Sequence, residues 1–340
     1  MPLVTMRQLL DEAAAGGYGV AAFNVNNMEQ IQGIMEAAPE TQSPVIIQAS
    51  RGARSYTNDR FLWHLMQAAV ELYPEVPVAL HLDHGNSPET CISAIELGFT
   101  SVMMDGSLGE DAKTPLNFED NVAVTKQVVE YAHARGVTVE GELGTLGGIE
   151  DGVGSGEVHL TDPAQAEEFV ERTGVDALAV AIGTSHGAYK FSREPDGDIL
   201  AMEIIEDIHR RLPDTHIVMH GSSSVPADIV ERVKGAGGEV DAGFGVRISA
   251  IQRGIEHGVR KVNIDTDGRL AITAFMREHF RDNPGDWDPR GVGKAARAGQ
   301  KLICMQRMQE LGMAGHAGDY EPMSLQDMAA RYASGVRTAV

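Results

Sequence analysis

The chain has 340 residues, 43% of them hydrophobic and 23% charged, with 38 glycines and a formal net charge of −21 at pH 7. That length suits one large α/β barrel or two smaller domains, and the composition suits a sizeable core. The charge argues against nucleic acid or an anionic membrane as partner, so an anionic ligand would need positive potential built locally. Cys91 and Cys304 stand far apart without a CxxC pattern, which argues against a disulfide scaffold. The opening MPLVTMRQLLDEAAAGG lacks the apolar stretch of a signal peptide, and no run reaches membrane-spanning length. These features lead us to expect a reduced, cytoplasmic protein.

Short apolar runs recur along the chain: GVAAFNV (19–25), PVIIQAS (44–50), VPVALHLD (76–83), TSVMMDG (100–106), VTVEGELG (137–144), DALAVAIG (176–183), THIVMHG (215–221) and VRKVNID (259–265). Between them lie helical patterns. NNMEQIQGIMEAAPE and DRFLWHLMQAAVELY space apolar residues three and four apart. SPETCISAIELG places Ser87 as N-cap, Pro88 at the first helical position and Gly98 as a stop. TDPAQAEEFVERTG repeats that arrangement with Asp162, Pro163 and Gly174. Strands apolar on both faces and alternating with helices form parallel sheets. Eight such units predict a (β/α)8 TIM barrel over 1–285. A doubly wound open sheet is the alternative, but the Gly-rich dinucleotide fingerprint after its first strand is missing. The text from 286 to 340 predicts a helical C-terminal extension of the same domain, expected at an interface.

Catalytic groups of barrel enzymes sit at the C-terminal ends of strands, and all eight ends here are polar. They carry Asn24 and Asn26, Ser50, Asp83 and His84, Asp105, Glu140 and Glu142, His186, His220, and Asn263 with Asp265. His84, His186 and His220 are each followed directly by glycine (Gly85, Gly187, Gly221). Three imidazoles converging from separate strands leave an open tetrahedral position, as in catalytic zinc sites. His81 shares the face of Asp83 but sits deeper. His64, His133, His209, His257 and His279 fall in helical text and are expected on the surface.

Two further segments suit phosphate. Gly221, Ser222 and Ser223 precede a helix starting near Pro226, and Asp265, Thr266 and Asp267 precede the eighth helix. Backbone N–H groups at helix starts bind anions, although Ser and Thr also cap helices for structural reasons alone. The loop GTLGGIEDGVGSG (144–156), with Glu150 and Asp151, reads as a lid.

The segments AAFNVNN, HLDHG, SVMMDGS, EGELGTLGGIEDGV, AIGTSHGAYKF, VMHGSSSVP, KVNIDTD and DPR resemble, in order, those of class II, metal-dependent fructose-bisphosphate aldolases. The resemblance implies that His84, His186 and His220 hold a catalytic zinc. It implies that Asp105 and Glu142 hold a second or displaced divalent ion. Asp83 matches the acid/base that handles the C4 oxygen, and Glu150 a glutamate that transfers a proton at the enediolate carbon. Gly187, Gly221, Ser222, Ser223, Asn263, Ile264, Asp265 and Thr266 match substrate and phosphate contacts, with Asn24 beside them. Ser50 matches a contact to the other phosphate-bearing half. Arg290 matches an arginine shared from the neighbouring subunit of a homodimer or homotetramer. The family also implies activation by a monovalent cation. It includes tagatose-bisphosphate aldolases, and the long extension resembles the branch containing Calvin-cycle aldolases.

The chemistry agrees with the residues. Aldol cleavage leaves a carbanion beside a carbonyl, which either a metal or a Schiff-base lysine can stabilise. The strand lysine, Lys261, lies near the start of the eighth strand, and Lys190 lies in a loop suited to phosphate, so the metal is favoured. A zinc-dependent barrel hydrolase would want an HxH pair on its first strand, where this chain has AFNVNN. A non-catalytic sugar-phosphate sensor would not be expected to keep Asp83 with all three histidines.

Overall fold

A computed structural model describes residues 3–111, 114–144, 160–184, 200–240 and 245–335. In chain order it comprises α1 (Met6–Gly16), β1 (Val20–Asn24), α2 (Met28–Thr41), β2 (Val45–Ser50), α3 (Arg51–Thr57), α4 (Asp59–Leu72), β3 (Val78–Gly85), α5 (Pro88–Leu97), β4 (Ser101–Met104), α6 (Phe118–His133), β5 (Thr138–Leu143), α7 (Pro163–Thr173), β6 (Ala177–Val180), α8 (Met202–Arg211), β7 (His216–Met219), α9 (Ala227–Gly235), α10 (Ile248–Glu256), β8 (Val259–Ile264), α11 (Thr266–Asp282), α12 (Pro289–Glu310) and α13 (Leu325–Ala333). The strands pair in parallel in sequence order, and β8 closes on β1. This is the (β/α)8 barrel expected from the repeating pattern. Among the described residues no helix is long and apolar enough to cross a membrane.

The strands are buried along their whole length, which is why they read as apolar runs rather than as alternating ones. The helices begin where their caps predict. Ser87 Oγ accepts from the Thr90 amide ahead of Pro88, and Gly98 ends α5 at φ 117°. Asp162 accepts from the Ala164 and Gln165 amides, and Gly174 ends α7 at φ 81°. A left-handed C-terminal residue is cheap only for glycine.

Some expectations shift. Thr266 and Asp267 lie inside the first turn of α11 rather than before it, with Asp265 at the cap position. Of the histidines expected on the surface, only His64 is exposed; His133, His209, His257 and His279 are half-buried. Three of them have acidic partners: His133 Nε2 contacts Asp176 at 2.9 Å, His279 Nε2 contacts Asp286 at 2.7 Å, and His257 Nδ1 lies 3.4 Å from Glu206.

α1 packs under the N-terminal ends of the strands. There Arg7 bonds Asp11, which also accepts from His216 and from Arg331 of α13. In the C-terminal segment, α12 lies along α2, with Arg297 on Glu36 at 3.3 Å and Lys301 on Glu40 at 2.6 Å. An added Cβ on Gly293 would sit 3.5 Å from Glu29 in the first turn of α2. The two helices therefore run parallel, and the start of α12 lies on the strand-C-terminal side of the barrel, with α2's own start.

Candidate active site

The end of β3 departs from regular strand geometry. His84 has φ 52°, a left-handed conformation uncommon for a side chain other than glycine and concentrated at functional sites. The β3–β4 register shifts between Leu82 and Gly85. A Cβ on Gly85 would lie 2.6 Å from Cys91 Sγ and 2.7 Å from the Met103 carbonyl oxygen, so this position requires glycine. The turn aims His84 and Asp83 together into the mouth. At the end of β7, Gly221 has φ 58°, and the chain turns there after His220. The histidine–glycine pairs of the sequence thus have a backbone cause at two strand ends.

His84 and His220 meet. Nδ1 of His84 is 2.9 Å from Asp105 Oδ2, and Asp105 Oδ1 accepts from Ser107 Oγ at 2.7 Å. Nε2 of His220 is 2.8 Å from Glu140 Oε1. The remaining ring nitrogens, His84 Nε2 and His220 Nδ1, face one another at 3.1 Å, with the rings near perpendicular at 82°. Each imidazole is thus steadied by a carboxylate on one nitrogen and turns the other to a common point, the arrangement that orients histidines on a metal.

The surrounding charge is acidic and buried. Burial opposes the charged form of His84, yet the Asp105 bond and the charges of Asp83, Asp105 and Glu142 push its pKa up to about 10. Burial, reinforced by the nearby Asp105 charge, raises Glu142 well above the usual carboxylate range. For Asp105, burial is outweighed by the bond and charge of His84, and its pKa falls. Two donor sets stand close enough to share a cation: Asp83, His84 and His220, and His84, Asp105 and Glu142, each within 4.8 Å. Imidazole nitrogens with carboxylate oxygens in a buried, electron-rich pocket fit a divalent metal such as zinc. His186, the third expected ligand, lies with Gly187 and Glu150 outside the described residues.

Asp83 is an acceptor for three amides. Its Oδ2 accepts from Asn24 Nδ2 at 2.8 Å and Gln48 Nε2 at 3.3 Å, and its Oδ1 from Asn263 Nδ2 at 3.2 Å. Burial would raise its pKa, but the charges of His84, His220 and Lys261 and the Asn24 bond lower it. The Asp83 carboxylate is thus held below its ordinary pKa and sits at the mouth beside His84 and His220.

A family model for class II fructose-bisphosphate aldolases matches residues 4–316. The chain belongs to the class II fructose-bisphosphate aldolase family. It is 57% identical to the fructose-bisphosphate aldolase of Nostoc sp., over 100% of this chain and 98% of that one. It is also 57% identical to the fructose-bisphosphate aldolase class 2 of Synechocystis sp., with the same coverage. Among solved structures it resembles the YdjI aldolase of Escherichia coli K12, at 31% identity and a TM-score of 0.73, over 93% of this chain and 99% of that one.

In this aldolase the loops after β7 and β8 lie side by side. Ser222 Oγ donates to the carbonyls of Met219 and Asn263, tying the two strand ends together. Gly221, Ser222, Ser223, Ile264, Asp265 and Thr266 are all buried beside the mouth. The Ser224 amide donates to Asp267 Oδ1, and Arg307 of α12 bonds Oδ2 of the same carboxylate at 2.8 Å. Ser50, at the end of β2, accepts from the Ala53 amide and so caps α3, a short helix the sequence pattern does not announce. Arg290 stands at the start of α12 with its side chain 84% exposed and paired to Asp288 at 2.6 Å. Within one chain it lies on the outer rim rather than among the mouth residues.

Gln48 and Lys261 escape a reading of strand ends as site residues, and Glu140, named there with Glu142, lies deeper than that reading places it. Gln48, Glu140 and Lys261 point inward one layer below the mouth, where Gln48 holds Asp83 and Glu140 holds His220. Their signal in the sequence is a polar residue inside a strand buried along its whole length.

Proposed function

We propose that this protein catalyses the reversible aldol cleavage of fructose 1,6-bisphosphate to dihydroxyacetone phosphate and glyceraldehyde 3-phosphate, with a zinc ion held by His84, His186 and His220. The observation that carries this reading is the convergence of His84 Nε2 and His220 Nδ1 at 3.1 Å, each ring anchored to a carboxylate on its other nitrogen. Bound there, zinc supplies a Lewis acid at the ketose carbonyl oxygen.

The chain's own residues account for the proton movements. In cleavage, Asp83 accepts the proton of the C4 hydroxyl as the C3–C4 bond breaks and C4 becomes the aldehyde carbon. Its three amide donors orient it for that step, and the charges of His84, His220 and Lys261 with the Asn24 bond favour its ionised form. Glu150 delivers a proton to C3, completing dihydroxyacetone phosphate; condensation runs the same transfers backwards. Gly187, Gly221 to Ser223, and Asn263 to Thr266 hold the ketose half, with backbone amides at the start of α11 facing its phosphate. Asn24 and Ser50 contact the remainder of the sugar. Arg290 of a neighbouring subunit binds the second phosphate, which places the 286–340 extension at the interface of a homodimer or homotetramer. Asp105 and Glu142 hold a second divalent ion, and a monovalent cation assists binding. The full-length relatives are named for fructose bisphosphate, which favours it over the tagatose isomer. The net charge and the paucity of cysteines suit a cytoplasmic protein.

The rival imine chemistry needs an uncharged lysine amine within reach of the substrate carbonyl. Lys261 is buried and its ammonium is engaged by Glu140 at 2.9 Å and Asn263 at 2.8 Å. Exhaustive chelation is expected to abolish cleavage of both bisphosphates, and added zinc to restore it, with fructose bisphosphate the better substrate. Cleavage that survives metal removal, with substrate trapped on a lysine by borohydride, would refute the proposal.

A further inference from the structure

Beneath the two histidines lies a buried polar layer that the proton transfers above do not use. Its centre is Lys261 on β8, fully buried and two residues before Asn263 on the same face. Its Nζ is 2.9 Å from Glu140 Oε2 and donates to Asn263 Oδ1 at 2.8 Å. Glu140 reaches one group at the mouth, and Asn263 reaches two, its Nδ2 lying 3.3 Å from His220 Nδ1 as well as beside Asp83. Glu140 Oε1 receives Nε2 of His220 at 2.8 Å, and Asn263 Nδ2 donates to Asp83 Oδ1 at 3.2 Å. His81, also fully buried, borders the layer with Nε2 3.4 Å from Glu140 Oε2 and Nδ1 2.7 Å from Ser101 Oγ.

Two features of this arrangement follow from donor and acceptor chemistry alone. An ammonium has only donors, so the Asn263 amide must turn its oxygen down to Lys261 and its NH2 up to Asp83. A carboxylate that accepts from Nε2 of His220 requires the proton on that nitrogen, which leaves the Nδ1 lone pair facing His84. Without the lysine the amide could flip and present its oxygen to the Asp83 carboxylate, and Glu140 would be free to turn away from His220.

We propose that Lys261 is a positioning residue that sets two groups at once, the tautomer of His220 through Glu140 and the amide orientation of Asn263 toward Asp83. The proposal rests on His220 being a zinc ligand and Asp83 the acid/base. It gives this lysine a role in both metal retention and proton transfer, though it touches neither metal nor substrate.

Removing only Lys261 leaves Glu140 as an unbalanced buried charge, which can unfold a protein. The test therefore compares Lys261→Met with the charge-balanced double variant Lys261→Met/Glu140→Gln. Folding is read by thermal melting, zinc affinity by competition with a chromophoric chelator, and cleavage at saturating zinc. The folded Lys261→Met variant is expected to bind zinc about 10–100-fold more weakly, the range for losing a group that orients a metal-bound histidine, and the double variant is read against Glu140→Gln alone, because Glu140 itself bonds His220. The turnover of Lys261→Met at saturating zinc is expected to fall about tenfold or more with KM nearly unchanged, because Asp83 loses an orienting donor. A purely structural lysine would lower the melting temperature and leave zinc affinity and turnover intact, which would overturn the inference. His220→Ala and Asp83→Ala serve as controls. If His220→Ala keeps tight zinc, the metal-site assignment itself has failed; if the controls behave and Lys261→Met matches the parent, or the double variant matches Glu140→Gln, only the role of Lys261 has failed. Should neither Lys261 variant fold, histidine-selective 15N NMR of the metal-free parent reads the tautomer directly. Protonation of His220 at Nε2 is expected, and protonation at Nδ1 would contradict the inference.

Discussion

Asp83 and His84 are neighbours in the chain with different proposed duties, and their contacts differ accordingly. His84 turns Nδ1 to Asp105 and Nε2 toward His220, whereas Asp83 accepts from three amides and its pKa is lowered by the neighbouring positive charges. Asp83→Ala is therefore expected to lower cleavage turnover by about two to four orders of magnitude, the range for losing a general acid/base. Its zinc content should stay near that of the parent when both are measured by metal analysis; loss of zinc from the variant would move Asp83 into the ligand set. At this scale much of the site is legible in the sequence, because ionisable residues at the ends of buried strands demand a partner or a metal. Gln48 and Lys261 are not, nor is the depth of Glu140, because their importance depends on which residue of the adjacent strand stands level with each. The barrel register sets Gln48 level with Asn24 and His81, and Lys261 level with Val20. No spacing within one strand reveals that. Thus Lys261, read from its place early in the eighth strand as remote from the mouth, in fact touches Asn263 at the mouth.

Strands and capped helices carry the clearest signals of the next scale. The observed strands fall within the apolar runs or extend them by no more than two residues at an end, as with β3, which continues through Gly85. A run buried on both faces can be recognised without knowing its partners. The α5 and α7 boundaries follow from Ser87, Pro88 and Gly98, and from Asp162, Pro163 and Gly174, since each residue satisfies or terminates a helix end locally. α3 is harder to foresee: seven residues hold too few turns for an apolar periodicity, and its start depends on the Ser50 cap. The bend at the end of β3 is a tertiary effect with a local signature, the glycine after His84. Gly85→Ala forces a Cβ against Cys91 Sγ and the Met103 carbonyl. It is expected to cost about 1–3 kcal/mol in denaturant unfolding, and to loosen zinc by displacing His84. A variant as stable as the parent with unchanged zinc affinity would show that the strand end can relax without moving its histidine.

Over the whole molecule, the mouth gathers residues from across the barrel, while α1 and α13 close the opposite end through Arg7, Asp11 and Arg331. The closed barrel is legible because eight similar units repeat; the path of the C-terminal segment along α2 is not, since it depends on pairs such as Lys301–Glu40 that are far apart in sequence. Arg290 is exposed on the rim at the start of α12, and the proposal that it serves another subunit's mouth has a direct test. Mixing Arg290→Ala subunits with His220→Ala subunits should restore part of the activity that each parent mixture lacks, because one site in the mixed assembly then has both its metal ligands and its arginine. No recovery despite subunit exchange verified by mass spectrometry would confine each site to one chain. The claim at the centre of the account is that histidines at the strand ends hold a catalytic zinc, and the most direct measurement is zinc per folded chain alongside fructose bisphosphate cleavage in the parent and in His220→Ala. The account predicts tight zinc and cleavage in the parent, with both nearly lost in the variant while its barrel melts as a folded protein. A folded His220→Ala variant that cleaves the substrate at the parental rate without zinc would contradict it.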